Sequence, residues 1–262
     1  MPSKLLLTLL LVLSIPAHSL AQGYRGIGEP PLNKKQLELP AISDTDIILV
    51  YSGFVVNYNS EWLLPNWVAY ELTAEELDGD VPRGRSFSMD LDYKGRQAMR
   101  EDYSNTGWDK GHMAPSADMK WSQVAMKESF YLTNICPQDH NLNEKDWQTL
   151  EKYVRDWAVK YGKVWVVCGP YVTTSQYGTI GERNVMIPDG FFKAVLRQDD
   201  RNVWHSIAFV FENNSSKQAV KDAVHSINEV EKLIGYDLFT NLRNRIEEDV
   251  EAQSDWEEWR FR

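Results

Sequence analysis

The apolar positions along the chain follow two rhythms. Val, Ile, Tyr and Trp crowd together over residues 47–57 and again over 66–72. Tyr58-Asn59-Ser60-Glu61 between them is turn chemistry, which predicts a long antiparallel hairpin. Further strand-like runs occupy 130–135, 163–169, 191–196 and 204–211, with Pro188-Asp189-Gly190 as a tight-turn signal before the third. The second rhythm is helical. From Asn143 to about Tyr161, the residues Trp147, Leu150, Val154, Trp157, Ala158 and Tyr161 recur at spacings of three and four, and Gly162 is the stop. A short helix is expected over 119–127 and a helical region over 220–240. This order of elements predicts an α+β fold, a mostly antiparallel central sheet with flanking helices.

The two ends read differently. Lys4, an apolar core from Leu5 to Ile15 and the small-residue pattern Ser19-Leu20-Ala21 make residues 1–21 an expected secretory signal peptide. That core is too short to span a bilayer, so the mature chain is expected to be exported, periplasmic or extracellular, without a membrane anchor. Residues 22–45 are rich in Gly, Pro and Lys without periodicity and predict an irregular leader. Residues 46–242 show no linker or repeat and predict one domain. The acidic tail, 243–262, carries Trp256 and Trp259 and is free to fold back or to stay apart.

Composition changes the picture in one respect. Lys and Arg number 28 against 38 Asp and Glu, a formal charge of −10. A protein that grips polyphosphate mainly by charge should be basic, so a tight, salt-driven nucleic-acid binder is disfavoured. The cations that stand out locally lie over 82–100, where Arg83, Arg85, Lys94, Arg96 and Arg100 face Asp90 and Asp92. The two cysteines, Cys136 and Cys168, both fall in strand-like runs; one bridge and two buried thiols are equally open.

The chemistry concentrates in Asp109-Lys110-Gly111-His112-Met113-Ala114-Pro115, followed by Asn134-Ile135-Cys136-Pro137-Gln138 and Asn141-Leu142-Asn143. A neutral imidazole at His112 can take a proton from water near neutral pH, and the glycines let the backbone turn so that it points out of a strand end. Asp109 either orients that ring or holds the loop, the second being favoured. Asn143 can ligate a divalent ion through its amide, although Asn is also a preferred helix cap. On a regular helix Asn143 and Glu151 lie about 80° apart and about 12 Å along the axis, able to face one cleft but not to touch one ion together. His140, His205 and His225 are expected to be structural. The chain has no His-Glu-x-x-His, Gly-x-Ser-x-Gly, phosphate-cradling Gly-x-x-x-x-Gly-Lys or Cys-x-x-Cys pattern.

The ordered set resembles the DNA/RNA non-specific endonuclease family, relatives of endonuclease G with a ββα-metal active-site motif, over about residues 51–242 and most specifically over 109–115 and 134–151. The resemblance implies a divalent-metal-dependent endonuclease that hydrolyses phosphodiester bonds of DNA and RNA with little sequence preference. It implies His112 as general base and Arg85 at the scissile phosphate, with Arg83 the alternative donor. Asn134 would lie in the active centre. Asn143 would be the sole direct protein ligand of Mg2+, Mn2+ or another divalent cation, and Glu151 would bond to the ion's waters. The 3′-oxygen would leave, giving a 5′-phosphate. Lys110 departs from the pattern, which has Arg there; an ammonium keeps the charge for substrate binding but loses the two-pronged fork. DNA and RNA are the implied partners, and a homodimer is open. Two other readings keep the fold: a non-catalytic exported binding protein, and a phosphodiesterase for a small or lipid-linked substrate. A decayed relative would be expected to lose one of His112, Asn143 and Glu151.

Overall fold

The computed structural model of the chain describes residues 24–25 and 36–260. The expected signal peptide, 1–21, lies outside the described residues, as do 22–23 and 26–35 of the leader. The frame is an eight-stranded sheet in the order β1 (Tyr24–Arg25), β2 (Ile47–Val50), β3 (Val55–Asn59), β4 (Leu64–Thr73), β7 (Lys163–Tyr171), β10 (Gly190–Gln198), β11 (Trp204–Glu212) and β12 (Val224–His225). Every pairing in it is antiparallel except β1 with β2. This is the expected α+β fold.

Both faces of the sheet are covered, and the central strands show why their sequences read as continuous apolar runs. In β7, Val164, Val166 and Cys168 face one core while Trp165 and Val167 face the other. On the first face lie α2 (Gln123–Ser129), α3 (Gln148–Tyr161) and a separate ribbon of β5 (Asp109–His112) with β6 (Ile135–Gln138). On the second lie α4 (Ile227–Ile234) and α5 (Asn244–Glu251), which bury Ile227, Val230 and Val250. Small accessories complete the set: α1 (Ala74–Leu77) after β4, and the short pair β8 (Thr179–Ile180) and β9 (Val185–Met186).

Three expected boundaries shift. The single strand over 47–57 is two strands, because the chain reverses at Tyr51–Phe54, where Tyr51 N–H reaches the Phe54 carbonyl at 2.9 Å. A methyl group on Gly53 in this turn would stand 2.5 Å from the Met119 sulfur, so any side chain there would require the buried Met119 to move. The hairpin is therefore a three-stranded meander. The strand over 130–135 begins only at Ile135, since Leu132–Asn134 forms a 3-10 turn and Pro137 sits inside β6. The helix over 220–240 is confined to α4, ended by Gly235 in the left-handed region at φ 75°. Cys136 and Cys168 are two buried free thiols; the Cys168 thiol donates to the Met113 carbonyl at 3.2 Å.

The acidic tail folds back. Trp259 is fully buried against Trp157 of α3, whose indole N–H donates to the Trp259 carbonyl at 2.7 Å. Among the described residues no helix is long and apolar enough to cross a membrane.

Candidate active site

β5 and β6 pair from Asp109 opposite Gln138 to His112 opposite Ile135, and the chain then enters the helix that becomes α3. Gly111 permits this pairing for a reason other than turning: a methyl group there would lie 2.1 Å from the buried Gln138 amide oxygen. The turning glycine is Gly107, at φ 83°. Asn213 fastens the β6–helix connection to the sheet, donating to the carbonyls of Pro137 (3.1 Å) and Pro188 (3.0 Å) and accepting from Asp139 N–H (2.8 Å).

His112 ends β5 with its ring between Phe87 and Phe130, at centroid distances of 5.3 and 4.9 Å. The residue is 8% exposed, and its Nε2 is buried with no hydrogen-bond partner. Burial, then the charge of Arg83, bring the imidazole pKa down to about 3, so the ring is neutral across the physiological range.

The helix start differs from expectation in a way that frees Asn143. Its cap is Asp139, whose carboxylate accepts from Asn141 N–H at 2.8 Å and Leu142 N–H at 3.3 Å. Leu142–Trp147 then forms a wide π turn before the regular helix of α3, so the regular-helix spacing between Asn143 and Glu151 does not apply. The Asn143 amide N–H donates to the Asp109 carboxylate at 3.0 Å, and the same oxygen meets His140 Nδ1 at 2.9 Å. Asp109 thus holds this loop and does not touch His112. His140 belongs to the same exposed cluster, with Glu144 at 3.3 Å, and these acids raise its pKa.

A cleft of about 650 Å³ opens over these elements, and His112, Asn143, Glu151 and Arg83 line it together. Beneath it lies a buried charged layer that sequence reading missed. Asp118, fully buried, accepts from Arg155 at 3.0 Å and from the Tyr70 hydroxyl at 3.1 Å. Lys193, fully buried in β10, stacks its ammonium 4.6 Å from the Trp147 ring. Burial pushes the Glu151 carboxyl up to about 7; Lys193 and Arg155 pull it down, and Asp118 adds to the rise. The signal for Lys193 was a lone charge within the apolar run 191–196.

Three candidates stand apart from the cleft. Arg85 lines a neighbouring depression with Pro82, Phe87 and Phe130, whereas Arg83 reaches the cleft with its Nε 3.1 Å from Ser116 Oγ. The geometry therefore favours the alternative arginine. Asn134 is fully buried and does not face the cleft: it accepts from Ala114 N–H and donates to the carbonyls of Ala114 and Ser129, each at 2.9 Å, bracing the loop after His112. Lys110 lies over the rings of Phe87 (5.8 Å) and Tyr103 (5.2 Å), and burial and then Arg100 lower its pKa.

The donors around Asn143 suit a hard divalent cation. With its N–H committed to Asp109, the amide keeps its carbonyl oxygen for a ligand, and the carboxylates of Glu144 and Glu151 line the same cleft.

A family model described as DNA/RNA non-specific endonuclease matches residues 33–245. The chain belongs to this family. A relative from Danio rerio, named Nuclease EXOG, mitochondrial, is 37% identical over 161 residues, 57% of this chain and 47% of that protein. The human protein named Endonuclease G, mitochondrial, is 36% identical over 155 residues, 55% of this chain and 52% of that one. The chain thus spans about half the length of these curated relatives. A solved structure titled as the EndoG/EndoGI complex matches with TM-score 0.75, at 24% identity, over 82% of this chain and 95% of that one; at this identity the likeness concerns the fold.

Proposed function

We propose that this family member is a divalent-metal-dependent nuclease that hydrolyses phosphodiester bonds of DNA and RNA with little sequence preference. The observation that carries the reading is the buried, unpartnered Nε2 of a neutral His112 in the one cleft that also holds Asn143, Glu151 and Arg83. In this reading Nε2 accepts the proton of the attacking water, and the water oxygen bonds to phosphorus as the bond to the 3′-oxygen breaks. The imidazolium that forms is stabilised by the phosphate charge beside it, which offsets the burial that otherwise disfavours it. Arg83 pairs with the phosphate oxygens as their charge grows. Asn143, through its amide oxygen, and Glu151, through hydrogen bonds to water, would hold a Mg2+-like ion, which when bound neutralises a phosphate oxygen and the departing alkoxide. Asp109 fixes the Asn143 amide and Asn134 the backbone after His112; both position groups without meeting substrate.

Retention of His112, Asn143 and Glu151 supports this over the non-catalytic reading. Export remains part of the proposal on the residues of 1–21; the relatives above carry mitochondrial names, so the mass of the secreted and cell-bound protein is the measurement that decides it. The activity is tested with purified mature protein on supercoiled plasmid and structured RNA, with magnesium or chelator, beside His112→Ala. Metal-dependent cleavage of both, lost at least a hundredfold in the variant, is expected from removing a general base. A folded protein inert with every divalent ion would overturn the reading.

A further inference from the structure

On the sheet face opposite the cleft, α4, the turn after it and α5 bring three carboxylates together. Ligand oxygens of Glu231, Asp237 and Glu251 lie within 4.8 Å of one another. Such a cluster alone is common on surfaces. What sets this one apart is Glu251, which is 7% exposed and has a buried Oε1 with no hydrogen-bond partner. A buried carboxylate without a donor or a cation carries a desolvation cost that proteins ordinarily relieve by pairing or by a metal.

No ion pair relieves the cluster. Among the described residues, none of Glu231, Asp237, Glu247, Glu248 and Glu251 takes part in an ion pair. Burial, and after it the charges of Glu231, Glu247, Asp237 and Glu248, push the Glu251 carboxyl up to about 8. Glu231 and Glu247 are raised as well, each by burial first and then by acidic neighbours. Glu251 also ends α5, a helix with no basic residue in its last turn, so the negative end of the helix dipole adds to the repulsion.

The parts are nevertheless held in place. Gly235 closes α4 and turns the chain back so that Leu238 N–H donates to Glu231 Oε1 at 2.8 Å, which fixes that carboxylate at the edge of the cluster. Asp237 is fastened through its carbonyl, which accepts from Ala41 N–H at 2.8 Å. α5 is moored to β11 by the Ser206 hydroxyl, which donates to the Val250 carbonyl at 2.6 Å.

The geometry points to a second divalent-cation site, formed by Glu231, Asp237 and Glu251, that takes a calcium-class ion and clamps α5 to α4 and the sheet. Three carboxylates with one side open to water match the oxygen-rich, adaptable shell of calcium better than the small octahedral shell of magnesium. The site is independent of the nuclease reading, lies on the other face of the sheet, and would act on stability.

The test uses the full chain, stripped with chelator, in an Asn143→Ala background so that the cleft's ligand is absent. Calcium chloride is titrated while melting temperature and heat of binding are followed. Expected is saturable binding with a rise of about 5 °C at a hundredfold excess over the dissociation constant, and a smaller rise with magnesium. Glu251→Gln should abolish the calcium response, and in chelator above about pH 8, where the native acid is ionised, it should raise the melting temperature because it removes a buried charge. Asp237→Asn, at an exposed position that folding tolerates, should weaken calcium binding at least tenfold. The proposal is overturned if calcium leaves the Asn143→Ala protein unchanged, or if it shifts the Asp237→Asn and Glu251→Gln proteins as much as their parent.

Discussion

At the scale of single residues, the cleft divides the charged groups into those that face substrate and those that set the properties of the first kind. Arg83 and Arg85 make the division testable. They are two residues apart, both exposed, and only Arg83 lines the cleft and acts electrostatically on His112. Arg83→Ala is expected to lower kcat/KM about a hundredfold, the loss of a charge-assisted phosphate contact, and Arg85→Ala less than about fivefold. Equal losses in parallel kinetics on one oligonucleotide would return Arg85 to the site. On the proposed reading, Glu151 sets the pH dependence. Its carboxyl titrates near 7, and the form that accepts hydrogen bonds from water is the ionised one. At subsaturating magnesium, kcat/KM should therefore rise about tenfold per unit below pH 7 and level off above it. His112 is already neutral throughout that range and cannot supply the limb. The limb should flatten in Glu151→Gln; if it persists unchanged, another group owns it. His112 and Asn143 could be singled out from sequence because each is polar where the backbone pattern changes, whereas Glu151, inside α3, was reached only through the family resemblance. Asp118 could not, because its burial is a property of packed layers and leaves no periodic trace, and Lys193 left only a lone charge in the apolar run 191–196.

At the scale of elements, the strands and the long helix were legible because apolar period records which faces are covered. Turn chemistry was less so. Pro188-Asp189-Gly190 reads as a tight turn, yet Asp189 organises a loop far along the chain: its carboxylate accepts from Thr173 N–H at 2.7 Å and Thr174 N–H at 2.6 Å, and from both hydroxyls at 3.2 and 2.9 Å. Burial alone would raise this carboxyl, but the bonds from Thr174 and Thr173 outweigh it and bring it down to about 2. A depressed folded pKa stabilises the fold above the unfolded value near 4, and that contribution is lost as pH falls through about 2. Asp189→Asn mimics the protonated acid. It should be about 2 kcal/mol less stable than the parent in urea at pH 7 and indistinguishable near pH 2. A deficit that is the same at both pH values would mean the charge contributes nothing. The helix cap shows a related limit. Asn143 suits a cap by residue type, but Asp139 takes that role because Asn213 fixes its backbone from the sheet, a long-range tie that local sequence does not announce.

At the scale of the molecule, the tail joins the two ends of the argument. Sequence left it free either to fold back or to stay apart, since two tryptophans in an acidic stretch satisfy both. Packing decides it: α3 presents Trp157 to the sheet, and Trp259 covers what that helix leaves open, with ring centroids 4.8 Å apart. Arg197 of β10 lies between, its guanidinium 4.7 Å from the Trp259 ring and 4.0 Å from that of Tyr161. The helix that carries Glu151 and Arg155 into the cleft is thus braced from behind by the last part of the described chain. Trp259→Ala would leave a cavity against Trp157 and strip one face from the Arg197 guanidinium, at a cost of roughly 3–5 kcal/mol. Urea unfolding should show that cost, and because its partners Trp157 and Arg197 do not line the cleft, kcat/KM of the folded variant should stay within about threefold of the parent. A cost below about 1 kcal/mol would mean that the tail merely rests on the domain. A large fall in kcat/KM at full folding would instead make the tail part of what holds α3 in register with His112.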